Sequence, residues 1–161
     1  MSSILLDIIF NEVQKTMAEL NMPYSVMNTN GNYRSLGYQY FLDEESPLNL
    51  FMLLSEDVIE LNMLFPDQSK AGHDYDNILL ADLLTDYLVD CTFVYREPQK
   101  SYILRISFVA ELNRLSDQIL DCSERLISSY LALEQAYSKL VESGYDASLA
   151  IDQTFLEEEI H

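Results

Sequence analysis

Basic residues are scarce in this chain: nine Lys and Arg stand against 27 Asp and Glu in 161 residues, a formal net charge of −18. Binding to duplex phosphate draws its affinity from basic side chains that release counterions, and the nine here are scattered, so nucleic acid is excluded as a partner. An anionic membrane surface repels the chain for the same reason. Glycine is equally short, with four residues, and no Walker-type or Gly-x-Gly phosphate loop is present. The two cysteines, Cys91 and Cys122, form no Cys-x-x-Cys pair and read as reduced, buried thiols rather than a disulfide framework. No apolar run approaches the roughly 20 residues of a membrane helix, and the amino terminus lacks a basic segment followed by an apolar one. The expected location is the cytoplasm.

What the chain does have is apolar and aromatic mass. It is 48% hydrophobic with 11 Tyr and 7 Phe, too rich for a disordered acidic polypeptide. The length fits one folded domain, expected over residues 1–144, followed by an acidic tail or short helix over 145–161.

Along residues 2–20, Ile4, Leu5, Ile8, Ile9, Val13, Met17 and Leu20 are spaced by polar residues as on one face of a helix that Pro23 stops. The period then shifts toward two. Tyr24–Asn28 and Tyr33–Leu42 read as strands around a polar cluster containing Asn30-Gly31, and Leu48–Leu54 and Val58–Phe65 as a hairpin. The unbroken run Leu50–Leu54 suggests a strand covered on both sides. Asn77–Val89 returns to helical spacing, with Ile78, Leu79, Leu83, Tyr87 and Leu88 as the expected core face. Cys91, Phe93 and Tyr95, then Tyr102, Leu104, Ile106 and Phe108, alternate in a second hairpin turned by Glu97-Pro98-Gln99-Lys100. From Ser116 to Glu142 there is no Gly or Pro, and Ile119, Cys122, Leu126, Ser129, Leu133, Ala136 and Leu140 advance by alternating threes and fours. The stripe is wider than a coiled-coil seam, which favours packing across a sheet. The expected class is α+β, a mainly antiparallel sheet with helices, ordered helix, three strands, helix, two strands, long helix.

Chemical signals are weak. His73, in Gly72-His73-Asp74-Tyr75-Asp76, has carboxylates nearby but no second His for a metal site, and reads as a solvated loop residue. His161 beside Glu157–Glu159 reads as a solvated end. The acidic runs Asp43-Glu44-Glu45 and Glu56-Asp57 lack the spacing and central Gly of an EF-hand loop. A stacking platform for single-stranded RNA at Tyr33, Tyr38, Tyr40 and Phe41 has no basic surround. No catalytic set, metal or cofactor is expected, and the chain reads as a non-enzyme. Residues 35–69 carry seven acids and no Lys or Arg; such a bias attracts a basic partner segment, suppresses edge pairing or maintains solubility.

The order and character of these elements resemble the type III secretion chaperone-like fold, including the YbjN family of bacterial proteins. The resemblance is carried by the hairpin Asn49–Phe65, the helix Asn77–Val89, the hairpin Cys91–Val109 with Arg105-Ile106-Ser107 in its second strand, and the helix Ser116–Glu142. It covers residues 2–142 and rests on topology, with no invariant motif. It implies a cytoplasmic homodimer that binds a protein or peptide partner, a polypeptide segment held in apolar grooves or at a sheet edge. The candidate contacts it suggests are Ile4, Ile8, Val13, Phe41, Phe51 and Phe93. The alternative is a regulatory adaptor that binds a folded basic protein through its acidic face. For the dimer, the expected surface is part of the long-helix seam or a strand face.

Overall fold

In the computed structural model, which describes residues 2–69 and 72–159, ten longer elements and one short 3-10 turn follow the two periodicities of the sequence. They are α1 (Ser2–Glu19), β1 (Tyr24–Asn28), β2 (Arg34–Phe41), β3 (Pro47–Ser55), β4 (Val58–Pro66), α2 (Asp74–Tyr87), β5 (Thr92–Arg96), β6 (Ser101–Val109), α3 (Leu115–Glu142) and α4 (Ala147–Glu159). The class is α+β with an antiparallel sheet in the order β1-β2-β3-β4-β6-β5. Four strands precede α2 where the stated order counts three; they are the four segments whose spacing reads as strand, with Tyr24–Asn28 paired to β2 as a strand of its own. The segment after residue 144 contributes α4. His161 and the side chains of Glu157–Glu159 lie outside the described residues.

The chain divides into two compact units, residues 1–63 with 106–124 and residues 64–105 with 125–161, whose boundaries fall inside β4, β6 and α3 rather than in a linker. Residues 145–159 fall in the second unit.

In the first unit, register puts the apolar residues of three strands on one face. Leu36 lies opposite Met52 and Tyr38 opposite Leu50, while Met52 lies opposite Leu61 and Leu54 opposite Ile59; all are buried. Phe51 and Leu53 point the other way and are only half-buried, so the run Leu50–Leu54 is covered fully on one side alone. The Tyr38 and Ser123 hydroxyls share a hydrogen bond of 2.8 Å, which ties β2 to the start of α3. At the β1–β2 turn, Gly31 takes the left-handed conformation at φ +81. Arg34, 5% exposed, donates from Nε and Nη2 to Asp7 Oδ1 at 3.0 and 2.8 Å and from Nη1 to the carbonyls of Gly31 and Tyr33. A buried guanidinium so satisfied joins the turn to α1.

In the second unit, Phe93 lies opposite Leu104 and Tyr95 opposite Tyr102, all four buried. Helix α2 packs on β5 and α4, and Tyr87 stacks on Phe155 with ring centres 4.1 Å apart. The buried face of α2 is Asn77, Leu80, Ala81 and Leu84, not the set Ile78, Leu79, Leu83, Tyr87 and Leu88. The helix is apolar nearly all round, so periodicity left its rotation undetermined. Along α3 every member of the seam from Ile119 to Leu140 is buried within the chain. That seam is consequently no surface for a second copy.

Candidate functional site

A sheet in this order has two outer strands, β1 and β5, and the chain treats them differently. On β5, Thr85 of α2 reaches the outward backbone of Phe93: the Phe93 N–H donates to Thr85 Oγ1 at 3.0 Å and that hydroxyl lies 3.2 Å from the Phe93 carbonyl. At Phe93 a side chain stands in place of a neighbouring strand. Thr85→Val removes the cap while keeping the shape, and leaves an unpaired N–H at a cost of about 1–2 kcal/mol; urea denaturation reads that loss.

The β1 edge carries no such cap among the described residues. The Gln39 N–H donates to the Pro23 carbonyl at 3.0 Å, and the register pairs Tyr24 with Tyr38 and Ser25 with Gly37. Antiparallel alternation then makes Ser25 the next residue bonded to β2 and directs the N–H and C=O of Tyr24 and Val26 outward. Tyr24, Ser25, Val26 and Met27 are all exposed. The strand contains neither Lys nor an internal Pro, the usual protections of an edge; its one irregularity is a bulge between Val26 and Asn28. Beside it lies a cavity of about 330 Å³ lined by Tyr24, Ser25, Gly37, Gln39, Asn49 and Leu50, with Pro23 and Tyr38. Gly37 lines its floor, where an added Cβ would make only ordinary contact, 3.7 Å from Met27 Sδ.

The contacts expected from the resemblance are dispersed. Ile4 and Ile8 project from α1 at 69% and 48% exposure, joined by exposed Leu5, and Phe41 is exposed at the end of β2. Phe51 is half-buried. Val13 and Phe93 are buried at 0% and 3%, which corrects their assignment as contacts: both point into their units' cores. Val26 and Met27, the exposed apolar residues of the edge, were absent from that set.

A second cluster, in the other unit, was not anticipated. Asp67, just after β4, accepts on Oδ1 from the Tyr137 hydroxyl at 2.6 Å and the Ser69 N–H at 2.8 Å, and on Oδ2 from the Tyr95 hydroxyl at 2.7 Å and Asn77 Nδ2 at 2.9 Å. Asn77 accepts from the buried Tyr102 hydroxyl at 2.6 Å. Tyr95 also reaches Asp74 at 3.1 Å, whose two oxygens take Lys100 Nζ at 2.6 and 2.7 Å. Partial burial opposes ionisation of Asp67, but the hydrogen bonds from Ser69, Tyr137 and Tyr95 outweigh it and hold the carboxyl below its ordinary value. Its neighbours respond in reverse. Burial, then the adjoining Asp67 carboxylate, raises Tyr95 and Tyr102, and pushes Tyr137 up to about 12. With four protein donors on two oxygens, Asp67 has spent its accepting capacity. It acts as a clamp that joins the loop after β4 to α2, β5 and α3, rather than as a base.

The remaining titratable candidates are similarly occupied. His73 stacks on Tyr145, ring centres 3.4 Å apart and planes 4° from parallel, with Nδ1 3.4 Å from Asp76. Burial pushes the Cys91 thiol up to about 11, away from the reactive thiolate. Among the described residues no group of three or more His, Cys, Asp or Glu is placed to hold a metal ion. No described helix is long and apolar enough to cross a membrane. No protein-family model, curated protein or solved structure matches the chain.

Proposed function

We propose that this chain is a non-enzymatic partner-binding protein that takes an extended, basic and apolar polypeptide segment as an added strand on β1. The observation that carries this reading is the asymmetry of the sheet edges: on β5 Thr85 takes the outward backbone of Phe93, while β1 presents outward backbone groups, exposed Val26 and Met27 and an adjoining cavity. Strand addition draws affinity from main-chain hydrogen bonds and specificity from pockets for alternate side chains. A basic segment is favoured by the net charge of −18 and by the seven acids without a Lys or Arg in residues 35–69. The secretion chaperone-like proteins that the element order resembles hold a client segment extended, and from that resemblance come the cytoplasmic setting and the homodimer of this reading. Exposed Ile4, Leu5 and Ile8 on α1 support the dimer, since an apolar patch of this kind is commonly covered by a partner.

The test uses peptides selected by display against the immobilised protein, their affinities measured by fluorescence anisotropy. Val26→Pro deletes an outward N–H and spares the bonds to β2; Val26→Lys keeps the backbone and repels a basic segment. Both are expected to weaken the best peptide at least about tenfold, the effect of about 1.4 kcal/mol, with amide signals shifting along β1. Unchanged affinity in both variants, or signals that shift only elsewhere, overturns the reading. Binding abolished by moderate salt without any β1 response favours the acidic-face adaptor.

A further inference from the structure

The second unit holds a cavity that this function does not use. About 470 Å³ in volume, it lies beside Phe65 at the end of β4 and along one stripe of α3 formed by Tyr130, Glu134, Tyr137 and Val141, with Glu142 at its end. The stripe follows from spacing: positions four, seven and eleven after Tyr130 return to the same side of a helix. The Phe65 ring is set edge-on to Tyr130 and Tyr137, centres 5.7 and 5.3 Å apart and planes 65° and 67° apart. The Tyr137 hydroxyl is turned to Asp67, so this residue offers the cavity its ring rather than its polar tip.

The charges around these rings are of one sign. Glu134 and Glu142 are exposed, and no basic side chain lines the cavity among the described residues. Glu142 lies 3.5 Å from Lys139, while Glu134 enters no ion pair among the described residues. Aromatic rings beside a carboxylate suit an organic cation, which the rings attract through their quadrupoles and the carboxylate through its charge. The volume suits a small ligand or one side chain.

From this arrangement we infer that the Phe65–Tyr130–Tyr137 cavity binds an alkylammonium group, with Glu134 as its counter-charge. A free amine and the lysine of a polypeptide share that chemistry. The site lies in the unit that does not contain β1, so it stands or falls separately from the strand-addition reading.

Titration by NMR with choline, its uncharged carbon analogue 3,3-dimethyl-1-butanol, and a short peptide containing one lysine tests the inference. Choline is expected to shift signals of Tyr130, Glu134 and Val141, and the uncharged analogue to leave them in place. Glu134→Gln, on an exposed helical position, is expected to weaken choline about threefold to tenfold, as is Tyr130→Leu, while Tyr130→Phe keeps the ring and the affinity. Glu19→Gln removes the same charge from α1 and is expected to change nothing. Tighter binding of the lysine peptide than of choline assigns the group to a polypeptide, and the reverse assigns it to a free amine; either supports the site. Equal shifts with the uncharged analogue, no shift with any probe, or full affinity in both Glu134→Gln and Tyr130→Leu overturns it.

Discussion

Asp67→Ala is expected to lower the unfolding free energy by about 3–5 kcal/mol, a large share of the 5–15 typical of a domain. The carboxylate is the common acceptor for Tyr95, Tyr137, Asn77 and the Ser69 N–H. Hydrogen bonds to a charged group contribute about 1.5–3 kcal/mol each, and a buried donor left without a partner costs about 1–3. Asn77 is fully buried and Tyr137 only 8% exposed, so truncation strands donors that solvent reaches poorly. Two features moderate the loss: Asp67 itself is partly exposed, and Tyr95 keeps its contact with Asp74 at 3.1 Å.

Asp67→Asn separates charge from shape. It retains one acceptor but turns an amide N–H₂ toward existing donors, and is expected to lose most of the same stability. Because the folded-state carboxyl titrates below its ordinary 3.8, its contribution is present above that pH and disappears as pH falls through the lowered value. The gap between wild type and Asp67→Asn, read by urea denaturation, is therefore expected to narrow below about pH 4. A loss under about 1 kcal/mol at neutral pH for Asp67→Ala would mean that water replaces the clamp at no cost, against the cooperative network described here.

This cluster marks where the sequence stopped being legible. The hairpins and the α3 seam could be read because their information is local: alternation over Ile59, Leu61 and Met63, and a repeat from Ile119 to Leu140 uninterrupted by Gly or Pro. Asp67 read as one more loop acid and Tyr95, Tyr102 and Tyr137 as core aromatics, because the partners of Asp67 lie 28 and 70 residues away. A tyrosine at a core position in a strand or helix signals a hydroxyl in need of a partner, and that was the available clue. Helices apolar on several sides hid their rotation, which is why Ile4 and Ile8 emerge on the surface and Val13 does not. Tyr24–Asn28 was legible as a strand, but its place at the edge depends on strand order, and the pairing of the Phe93 backbone on the other edge depends on a hydroxyl from α2.

The second large effect is expected in alkali, where the protein should unfold cooperatively with a sharp rise in phenolate absorbance coincident with loss of circular dichroism. Tyr38, Tyr95, Tyr102 and Tyr137 all have folded-state values above the ordinary 10.0, first because they are buried. For Tyr95 and Tyr137 the hydrogen bond to Asp67 adds to burial, while for Tyr38 the Ser123 bond offsets part of it. A raised folded-state value means that the unfolded chain loses its proton first. The contribution to stability is complete below pH 10 and falls as pH rises toward the folded-state value, by about 1.4 kcal/mol per pH unit for each group. Four such groups remove about 5–6 kcal/mol per unit, enough to exhaust ordinary domain stability within roughly one to three units above pH 10. Deprotonation of the few Lys residues increases acidic self-repulsion in the same direction, but salt screens that component and leaves the buried phenols unaffected. The discriminating measurement is the steepness of the transition at high salt. Tyr38→Phe or Tyr137→Phe should each remove about one proton from it, whereas gradual ionisation of all tyrosines with the fold intact would show that these hydroxyls reach water without unfolding.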